Sequence, residues 1–278
     1  MRMGEPGKAR RFAARLAALL AAALLATALA GCAGGGGTEA GEGTLRVGVR
    51  SDIVGFGFYN EGTGKYYGLE IDIAEELAER MGYADVELVT VTPDSRKDAL
   101  LNGEVDCLVA CYSVSSSREE NFDFSPAYYT DASVIMVEDS SLITDVSQLA
   151  GRTIGIMSGS NAGPTLAIKL NELGVIGENV IENTDEGTQY EGVYVKKIPS
   201  YKELSDALEA GAVDAACMDA SITQTYLDEL RSILPTEIAE QSYGVATQKG
   251  SELSGRVAET VQGMLDDGTI AALIDKWD

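Results

Sequence analysis

Apolar residues recur along the chain with two different periods, and these periods predict alternating strands and helices. Short apolar runs at 45–49 and 153–157 are typical of buried strands, and each is followed by a stretch with helical spacing. Those helical stretches cover 69–82 and about 161–173, after which "VELVTV" and "VYVKKI" predict further strands. Because strands that alternate with helices form parallel sheets covered by helices on both faces, the pattern predicts an α/β fold.

One helix-to-strand unit occurs twice. The segments "PDSRKDALLNGEVDCLVAC" (93–111) and "PSYKELSDALEAGAVDAACMD" (199–219) share the pattern A-L-x-x-G-x-V-D. In each, a short amphipathic helix ends at a glycine, Gly103 or Gly211, which can adopt the left-handed conformation of a helix cap. The repeat predicts two similar α/β lobes. Superposing the copies aligns Cys111 with Asp219 at the carboxyl ends of their strands, where such sheets bind ligands, so facing lobes would bring 111–113 and Asp219 to one cleft.

The stretch "ACYSVSSSREENFDFSPAYY" (110–129) has the features of an anion site. A helix is predicted to start at Ser115 or Ser116, because Ser116 with Glu119 and Ser117 with Glu120 each fit the capping box S-x-x-E. Unpaired N–H groups at a helix start, serine hydroxyls and the fork of Arg118 would suit a carboxylate. Spacing alone leaves a second interpretation open, in which Arg118 pairs with Glu119 or Asp123 on the surface.

The amino-terminal region has the pattern of an export signal. A basic head precedes an apolar run at 16–30 that is short for a membrane span, and small residues follow. The run ends in "LAGC" (29–32), which resembles the lipobox of bacterial lipoproteins. That resemblance implies a signal peptide at 1–31, lipid on Cys32, a flexible tether at 32–43, and a soluble domain anchored to a membrane surface. The basic residues are Arg2, Lys8, Arg10, Arg11 and Arg15.

Composition narrows the possible functions. The net charge of −23 disfavours a nucleic-acid partner, because phosphates would be repelled. The chain has no histidine, which excludes Ser-His and Cys-His nucleophiles, and it has no C-x-x-C pair. We therefore predict no metal, no cofactor and no enzymatic activity. Glu70 and Asp72 are interpreted as the solvated start of a helix. Cys107 and Cys217 are interpreted as small buried apolar residues, with a disulfide between Cys111 and Cys217 left as an alternative.

Several motifs together resemble one family. "GEVDCLVACYSVSSSREENFDFSPAYY" is similar to the signature of family 3 extracellular solute-binding proteins, the amino-acid receptors of ABC importers. "GVRSDIVGFGFYNEGTGKYYGLEIDIAEELAERMG" and "LPTEIAEQSYGVATQKGSEL" resemble that family's first ligand loop and return hinge, in the same order. The resemblance covers roughly residues 44–278. It implies a type II periplasmic-binding-protein-like fold, with two mostly parallel, helix-flanked sheets and a two-strand hinge. Lobe 1 would be 44–133 plus 243–278, and lobe 2 would be 134–242.

The resemblance also implies roles for individual residues. Arg118 matches the arginine that clamps the α-carboxylate of the ligand, and Asp219 matches the aspartate that binds its ammonium group. Further ligand contacts are implied at the end of the first repeat and in the loop "SGSNAG" of lobe 2. Cys111 stands where the family usually has Gly, Ala or Thr, and Tyr112 and Phe56 are either pocket walls or core. The contact residues so implied are Cys111, Tyr112, Ser113, Ser160 and Asn161.

The nature of the amino acid depends on two further arginines. Arg50 and Arg96 resemble basic residues of the aspartate- and glutamate-binding branch of the family, and a second carboxylate on the ligand would satisfy them. Glutamine is the nearest competitor. Arg96 could instead lie on a solvated helix face. The stretch 177–192 looks longer than the corresponding connection in the family, and we assign no function to it.

The expected protein is a monomeric receptor, lipid-anchored on the outer face of the cytoplasmic membrane, either extracellular or periplasmic. It would pass an amino acid to an ABC transporter permease. Two other classes were weighed. A dehydratase on the same fold would need an acid or base aimed at a substrate, and a tethered sensor or adhesin would share the same sequence features.

Overall fold

The structure is a computed structural model that describes residues 43–277. The predicted signal peptide, Cys32 and all but the last residue of the tether lie outside the described residues. No helix within 43–277 is long and apolar enough to cross a bilayer.

The strands form two main sheets and one small meander. In chain order they are β1 (Thr44–Val49), β2 (Asp52–Ile53), β3 (Gly57–Asn60), β4 (Lys65–Tyr67), β5 (Asp85–Thr90), β6 (Cys107–Val109), β7 (Phe122–Phe124), β8 (Tyr129–Glu138), β9 (Thr153–Met157), β10 (Val180–Asn183), β11 (Gly187–Tyr190), β12 (Tyr194–Ile198), β13 (Ala215–Asp219), β14 (Arg231–Ile233), β15 (Ala239–Tyr243) and β16 (Ala246–Gln248).

Helices connect and cover these strands. They are α1 (Leu69–Arg80), α2 (Arg96–Leu101), α3 (Ser116–Glu119), α4 (Ala162–Glu172), α5 (Tyr201–Glu209), α6 (Ala220–Thr223), α7 (Glu252–Asp266) and α8 (Thr269–Trp277), with 3-10 turns at Asp139–Ser141 and Val146–Leu149. The strands and helices predicted in each half of the chain are present, with ends that differ by one or two residues.

Each main sheet combines parallel and antiparallel strands. The first has the order β5-β1-β6-β16-β7, with β1, β5 and β6 parallel. The second runs β10-β11-β12-β9-β13-β8-β14, with β12, β9 and β13 parallel and β15 paired to β8. This confirms the predicted α/β architecture with two lobes. The long stretch 177–192 contains β10 and β11, an antiparallel hairpin that extends the second sheet beyond β12.

Two antiparallel strands connect the lobes. The first half of β8 pairs with β15 from Tyr129↔Tyr243 to Ser133↔Ala239, and its second half joins the second sheet through β13 and β14. The chain therefore leaves the first lobe along β8 and returns along β15. The lobe limits at 133/134 and 242/243 stay predictions.

The glycines that end the two repeat helices have the expected conformation. Gly103 has φ 71° and Gly211 has φ 67°, a region in which a residue with a Cβ is strained. Each glycine reverses the chain from a short helix into a fully buried strand, β6 or β13. The paired glycines thus set the shared geometry of the two lobes, and both strands end toward the cleft.

Two details differ from the sequence-based expectation. The capping boxes at Ser116 and Ser117 are not formed: α3 begins at Ser116, its N-cap is Ser115, and that cap makes no side-chain hydrogen bond. Instead the hydroxyls of Ser115 and Ser117 lie 3.3 Å apart and bond each other. The three cysteines within 43–277 are free and buried, so the alternative of a Cys111–Cys217 disulfide is wrong. Cys107 and Cys217 have no exposed surface and act as small apolar core residues, as predicted.

Candidate ligand-binding site

The side-chain amide of Gln241 connects residues at the carboxyl ends of β6 and β13. Asp219 is the last residue of β13, and Ser113 lies four residues beyond β6. The Ser113 hydroxyl donates to Oε1 of Gln241 at 2.5 Å, and the Gln241 amide donates to the Asp219 carboxylate. Gln241 belongs to the return strand β15, so hinge and lobes converge here. The sequence predicted that Ser113 and Asp219 would meet, but it gave no role to Gln241.

Arg118 points into this region and has no carboxylate partner within residues 43–277. Its Nη1 donates to the Ser113 carbonyl at 2.8 Å, and its guanidinium carbon lies 4.1 Å from the centre of the Tyr112 ring. Burial and the neighbouring charge of Arg96 lower the pKa of Arg118 to about 10. The surface-pairing alternative is wrong, because no ion pair joins Arg118 to Glu119 or Asp123 and Asp123 instead pairs with Lys249 at 2.9 Å.

Arg96 is a second cation of the same kind. It is 2% exposed, so the alternative of a solvated helix face is wrong. Its Nη1 donates to the Ala110 carbonyl at 2.7 Å, and its Nε has no hydrogen-bond partner among the described residues. The guanidinium carbon lies 4.5 Å from the Tyr112 ring centre. Burial, together with the nearby charge of Arg50, lowers the pKa of Arg96.

The carbonyl of Gly159 is the point where the two cations meet the opposite lobe. Nη2 of Arg96 reaches it at 3.3 Å and Nη2 of Arg118 at 3.5 Å. Neither arginine lies within ion-pair distance of a carboxylate in residues 43–277. Two desolvated guanidiniums that share one neutral carbonyl and one aromatic ring form a strongly electropositive site. This arrangement can accept one or two carboxylates of a small molecule.

Arg50 does not share that arrangement. It is 2% exposed, but Asp52 accepts two hydrogen bonds from it, at 2.9 Å from Nε and 2.7 Å from Nη2. The charge of Arg50 is therefore matched within its own loop without a ligand carboxylate, and its contact with the ligand stays a prediction. Its guanidinium also lies 6.0 Å from the ring centre of Tyr201 in α5, the helix of the second repeat.

Asp219 provides the negative side of the site. It is 7% exposed, and its carboxylate accepts from the Tyr243 hydroxyl at 2.6 Å. Burial raises the pKa of Asp219 to about 6, although the Tyr243 hydrogen bond and the charges of Arg96 and Arg118 oppose the rise. The Tyr243 hydroxyl also lies 3.2 Å from Asp131, so two carboxylates share it. A buried carboxylate of this kind can bind an ammonium group.

The predicted contact residues of the second lobe flank Gly159. The hydroxyl of Ser160 donates to the Met157 carbonyl at 2.7 Å, and Asn161 is the N-cap of α4 without a side-chain capping bond. Both residues are half-buried. The sequence singled out Ser160 and Asn161 but missed Gly159, whose carbonyl makes the contacts to the arginines; its only signal was a glycine in the middle of "SGSNAG".

The two aromatic candidates have different positions. Tyr112 is 3% exposed and lies under both guanidiniums, while its ring also contacts Phe122 and Phe124 at 5.9 and 5.6 Å. It is thus both part of the core and the platform for the cations. Phe56 packs edge-on against Tyr129 and Tyr243 at centroid distances of 5.0 and 6.1 Å, next to the hinge.

Glu70 and Cys111 are hydrogen-bonded to each other just beyond the end of β6. Cys111 has φ 45°, an unusual value for a residue with a side chain, and its N–H donates to Oε1 of Glu70 at 2.5 Å. Glu70 has no exposed surface, so its interpretation as a solvated helix start is wrong; Asp72 instead bonds Lys276 at 2.6 Å on the outer face. Side chains that are two residues apart on a helix differ in direction by about 200°, which explains why only one of these two carboxylates is solvated. Burial raises the pKa of Glu70.

The rims of the two lobes also touch. The hydroxyl of Ser158 donates to Asp94 at 2.9 Å. A Cβ atom on Gly159 would lie 2.7 Å from the backbone of Pro93, and Gly159 has φ 68°. The described residues contain no cluster of His, Cys, Asp or Glu side chains suited to a metal. The cleft is thus closed around a site made of two arginines, one aspartate and backbone groups.

Two α/β lobes on a two-strand hinge, with charged groups of both signs at their junction, define a solute-binding protein of the type II fold. The sequence model of the bacterial extracellular solute-binding proteins, family 3, matches residues 45–278, and the chain belongs to this family. The resemblance inferred from the motifs is thereby confirmed. Family membership makes the chain a binding protein and not an enzyme, as predicted.

Similar proteins bind several amino acids. The ABC transporter glutamine-binding protein GlnH of Bacillus subtilis is 27% identical over 236 residues, which cover 83% of this chain and 79% of GlnH. The glutamate-binding protein GluB of Corynebacterium glutamicum is 27% identical over 248 residues, covering 84% and 77%. Among solved structures, an ancestral arginine-binding protein bound to arginine matches with a TM-score of 0.70 and 28% identity, covering 84% of this chain and 98% of that one. Because these similar proteins bind different amino acids, the ligand of this chain has to be inferred from the residues of its own site.

Proposed function

We propose that this protein is an exported receptor that binds an acidic amino acid, glutamate or aspartate, between its lobes and delivers it to an ABC importer. The observation that carries the proposal is a pair of guanidiniums, that of buried Arg96 and that of half-buried Arg118, without a carboxylate partner in residues 43–277. In this proposal Arg118 binds the α-carboxylate, Arg96 the side-chain carboxylate and Asp219 the ammonium group.

Charge matching favours a ligand with two carboxylates. Two cations, buried Arg96 and half-buried Arg118, together with the buried anion Asp219 favour a ligand with two negative charges and one positive charge, which is the charge pattern of glutamate and aspartate at neutral pH. A cation left without its partner in a desolvated site is costly, by about 3–5 kcal/mol when a buried pair is broken. A basic amino acid would bring a third cation toward Arg96 and Arg50, and repulsion disfavours it.

Glutamine is the second candidate, and one observation favours it. The three bonds of Arg96 to the carbonyls of Ala110, Cys111 and Gly159 already satisfy part of its hydrogen-bonding capacity with neutral oxygens. An amide oxygen of a ligand could add another such bond. Relatives whose names specify glutamine and glutamate fit either choice.

Calorimetry with a panel of amino acids tests the proposal. We expect glutamate or aspartate to bind most tightly, with glutamine next. Replacing Arg96 with Ala should weaken glutamate binding by about 2–5 kcal/mol, as for a desolvated charge pair, and should affect glutamine less. Arg80→Ala is a matched control on the same lobe, since Arg80 is exposed and its ion pairs are worth less than about 1 kcal/mol. Tight binding of a basic or bulky apolar amino acid, with none for Glu, Asp or Gln, would overturn the proposal.

We also propose that Cys32 carries lipid and holds the receptor on the outer face of the cytoplasmic membrane, next to its permease. The support is "LAGC" after an apolar run, followed by a Gly-rich segment that can act as a tether. Cell fractionation of Cys32→Ser tests the anchor. A processed Cys32→Ser protein that remains as membrane-bound as the wild type would show that the assignment is wrong.

A further inference from the structure

Glu70 has a buried carboxylate that the proposed ligand contacts do not use. It is the second residue of α1 and has no exposed surface. Its Oε1 accepts two hydrogen bonds, from the Cys111 N–H and from the Tyr128 hydroxyl, each at 2.5 Å. Its Oε2 accepts a longer contact of 3.5 Å from Sγ of Cys111. No Lys or Arg of the described residues forms an ion pair with it, so its hydrogen bonds come from Cys111 and from the Tyr128 hydroxyl.

That residue occupies a strained conformation. Cys111 has φ 45°, and within residues 43–277 Leu142 is the other non-glycine residue with positive φ. A side chain disfavours this region because its Cβ approaches the following carbonyl. A strained backbone persists where the surroundings hold it in place. The short bond from the Cys111 N–H to Glu70 is such a hold.

The turn at Cys111 determines where the neighbouring carbonyls point. Nη1 of Arg96 donates to the Ala110 carbonyl at 2.7 Å and to the Cys111 carbonyl at 3.3 Å. These two atoms and the carbonyl of Gly159 are the hydrogen-bond acceptors of the Arg96 guanidinium, and Gly159 lies on the other lobe. Before the lobes close, the turn and the Tyr112 ring are what remain to hold Arg96.

We infer that Glu70 is a positioning residue for the specificity of the site: by holding the left-handed turn at Cys111, it fixes the Arg96 guanidinium where the ligand side chain must bind. This inference rests on the proposed function, in which Arg96 selects a side-chain carboxylate. Glu70 itself does not touch the ligand. The prediction is that its hydrogen bonds, and not its charge, determine how strongly the receptor prefers glutamate to glutamine.

Two substitutions separate the hydrogen bonds from the charge. Glu70→Gln removes the charge but keeps a side-chain oxygen that can accept from both the Cys111 N–H and the Tyr128 hydroxyl. Glu70→Leu removes the acceptor. We expect Glu70→Gln to keep the wild-type ratio of glutamate to glutamine affinity within about threefold, and Glu70→Leu to lower that ratio by about tenfold, the effect of roughly one lost hydrogen bond to a charged group.

The nitrogen resonance of the Arg96 Nε–H group gives a readout that needs no ligand. Arg96→Lys assigns the signal. We expect it to be sharp in the wild type and in Glu70→Gln, and broadened or shifted in Glu70→Leu. Adding Cys111→Gly to the Glu70→Leu variant should restore part of the signal and of the selectivity, because glycine adopts φ 45° without a steric penalty. A merely structural role for Glu70 would lower the unfolding temperature without these selective changes.

The outcomes distinguish this inference from the proposed function. If the wild type binds no glutamate, the proposed function fails, and the Arg96 resonance alone decides whether Glu70 positions it. A Glu70→Leu protein that is folded and keeps both the wild-type signal and selectivity would overturn the inference, as would equal loss in Glu70→Gln. If Glu70→Leu does not fold, Glu70→Asp replaces it, because the shorter carboxylate withdraws from the Cys111 N–H and should give the same losses.

Discussion

At the scale of single residues, Arg118 and Asp219 carry charges of opposite sign on the two repeats. Arg118 follows the first repeat and Asp219 ends the second, and both face the junction of the lobes. We expect Arg118→Ala and Asp219→Ala each to weaken amino-acid binding by about 2–5 kcal/mol, because each leaves an opposite charge of the ligand without its partner. Calorimetry beside the wild type measures the loss. An Arg118→Ala protein with near-normal affinity would show that this arginine does not bind the carboxylate.

The raised pKa of Asp219, about 6, predicts that ligand affinity depends on pH. Below that value the free protein binds a proton on Asp219, and the ammonium of the ligand loses its anion. Affinity should therefore fall toward tenfold per pH unit once the pH drops below about 6, and should level off above about 7. The groups that face Asp219 are Tyr243, Asp131, Arg96 and Arg118.

A rise in pH changes the contribution of Asp219 to folding stability in the opposite direction from its effect on ligand affinity. A carboxyl group whose pKa is higher in the folded state than its usual 3.8 favours folding most at low pH. That contribution is lost as the pH rises from about 4 through about 6.

Asp219→Asn is the control for the pH dependence of binding, since this variant should bind the ligand weakly and its affinity should depend little on pH between 5 and 8. A wild-type affinity that stays constant from pH 7 to pH 5 would contradict the assignment of Asp219 to the ammonium group.

At the scale of elements, the loop between β9 and α4 closes against the loop before α2. Gly159 lies where these loops touch, with φ 68° and with backbone atoms of Pro93 only 2.7 Å from the position of a Cβ. We expect Gly159→Ala to weaken ligand binding roughly tenfold, because the added methyl group collides only when the lobes are closed and such overpacking costs about 1–3 kcal/mol. Calorimetry with the preferred amino acid measures the effect.

Gly211 offers a matched control for this substitution. It has φ 67°, but nothing lies within 4 Å of its Cβ position. Gly211→Ala should therefore lower the unfolding temperature through backbone strain and leave ligand affinity unchanged. Equal losses of affinity in the two variants would mean that the strained φ, and not contact between the lobes, explains the result at Gly159.

The sequence predicted the elements better than the contacts between them. Periodic apolar residues and the glycine that ends each repeat helix are local signals, and they placed β1, β9, α1 and α4 to within one or two residues. The bidentate bond of Arg50 to Asp52 and the burial of Glu70 depend on the direction in which side chains leave the backbone. That direction follows from turn geometry and helix phase, which composition does not reveal.

The uncharged hydrogen-bonding groups of the site were harder to predict than its charged residues. Arg118 stood out beside a serine-rich helix start and Asp219 at the end of the second repeat, while the role of Arg96 was implied by the family resemblance. Gln241 and the Gly159 carbonyl did not stand out, because an amide in a return strand and a backbone oxygen have no distinctive residue type. Their roles arise only when β15 and the loop after β9 come together in the folded chain.

At the scale of the whole molecule, the hinge strands β8 and β15 allow the lobes to separate while each sheet stays intact. Polar contacts between the lobes include the Ser158 hydroxyl with Asp94 and the Gly159 carbonyl with two arginines. A single carbonyl cannot neutralise two guanidiniums, so closing the second lobe over Arg96 and Arg118 removes water from two positive charges without supplying a negative one, and this cost opposes closure in the free protein. A dicarboxylate ligand supplies the missing negative charges and gains contacts from both lobes at once. Its affinity for the closed state thus exceeds that for the open state, which is the condition for a ligand to shift the population.

We therefore expect solution X-ray scattering to show a larger radius of gyration for the free protein than for the protein saturated with glutamate. The Gly159→Ala variant should stay more expanded than the wild type at the same ligand occupancy, because its methyl group opposes closure even when the ligand is bound. The Gly211→Ala variant should contract as the wild type does. Identical radii of gyration for the free and saturated wild-type protein would mean that the lobes are closed in both states and that ligand binding does not depend on their movement.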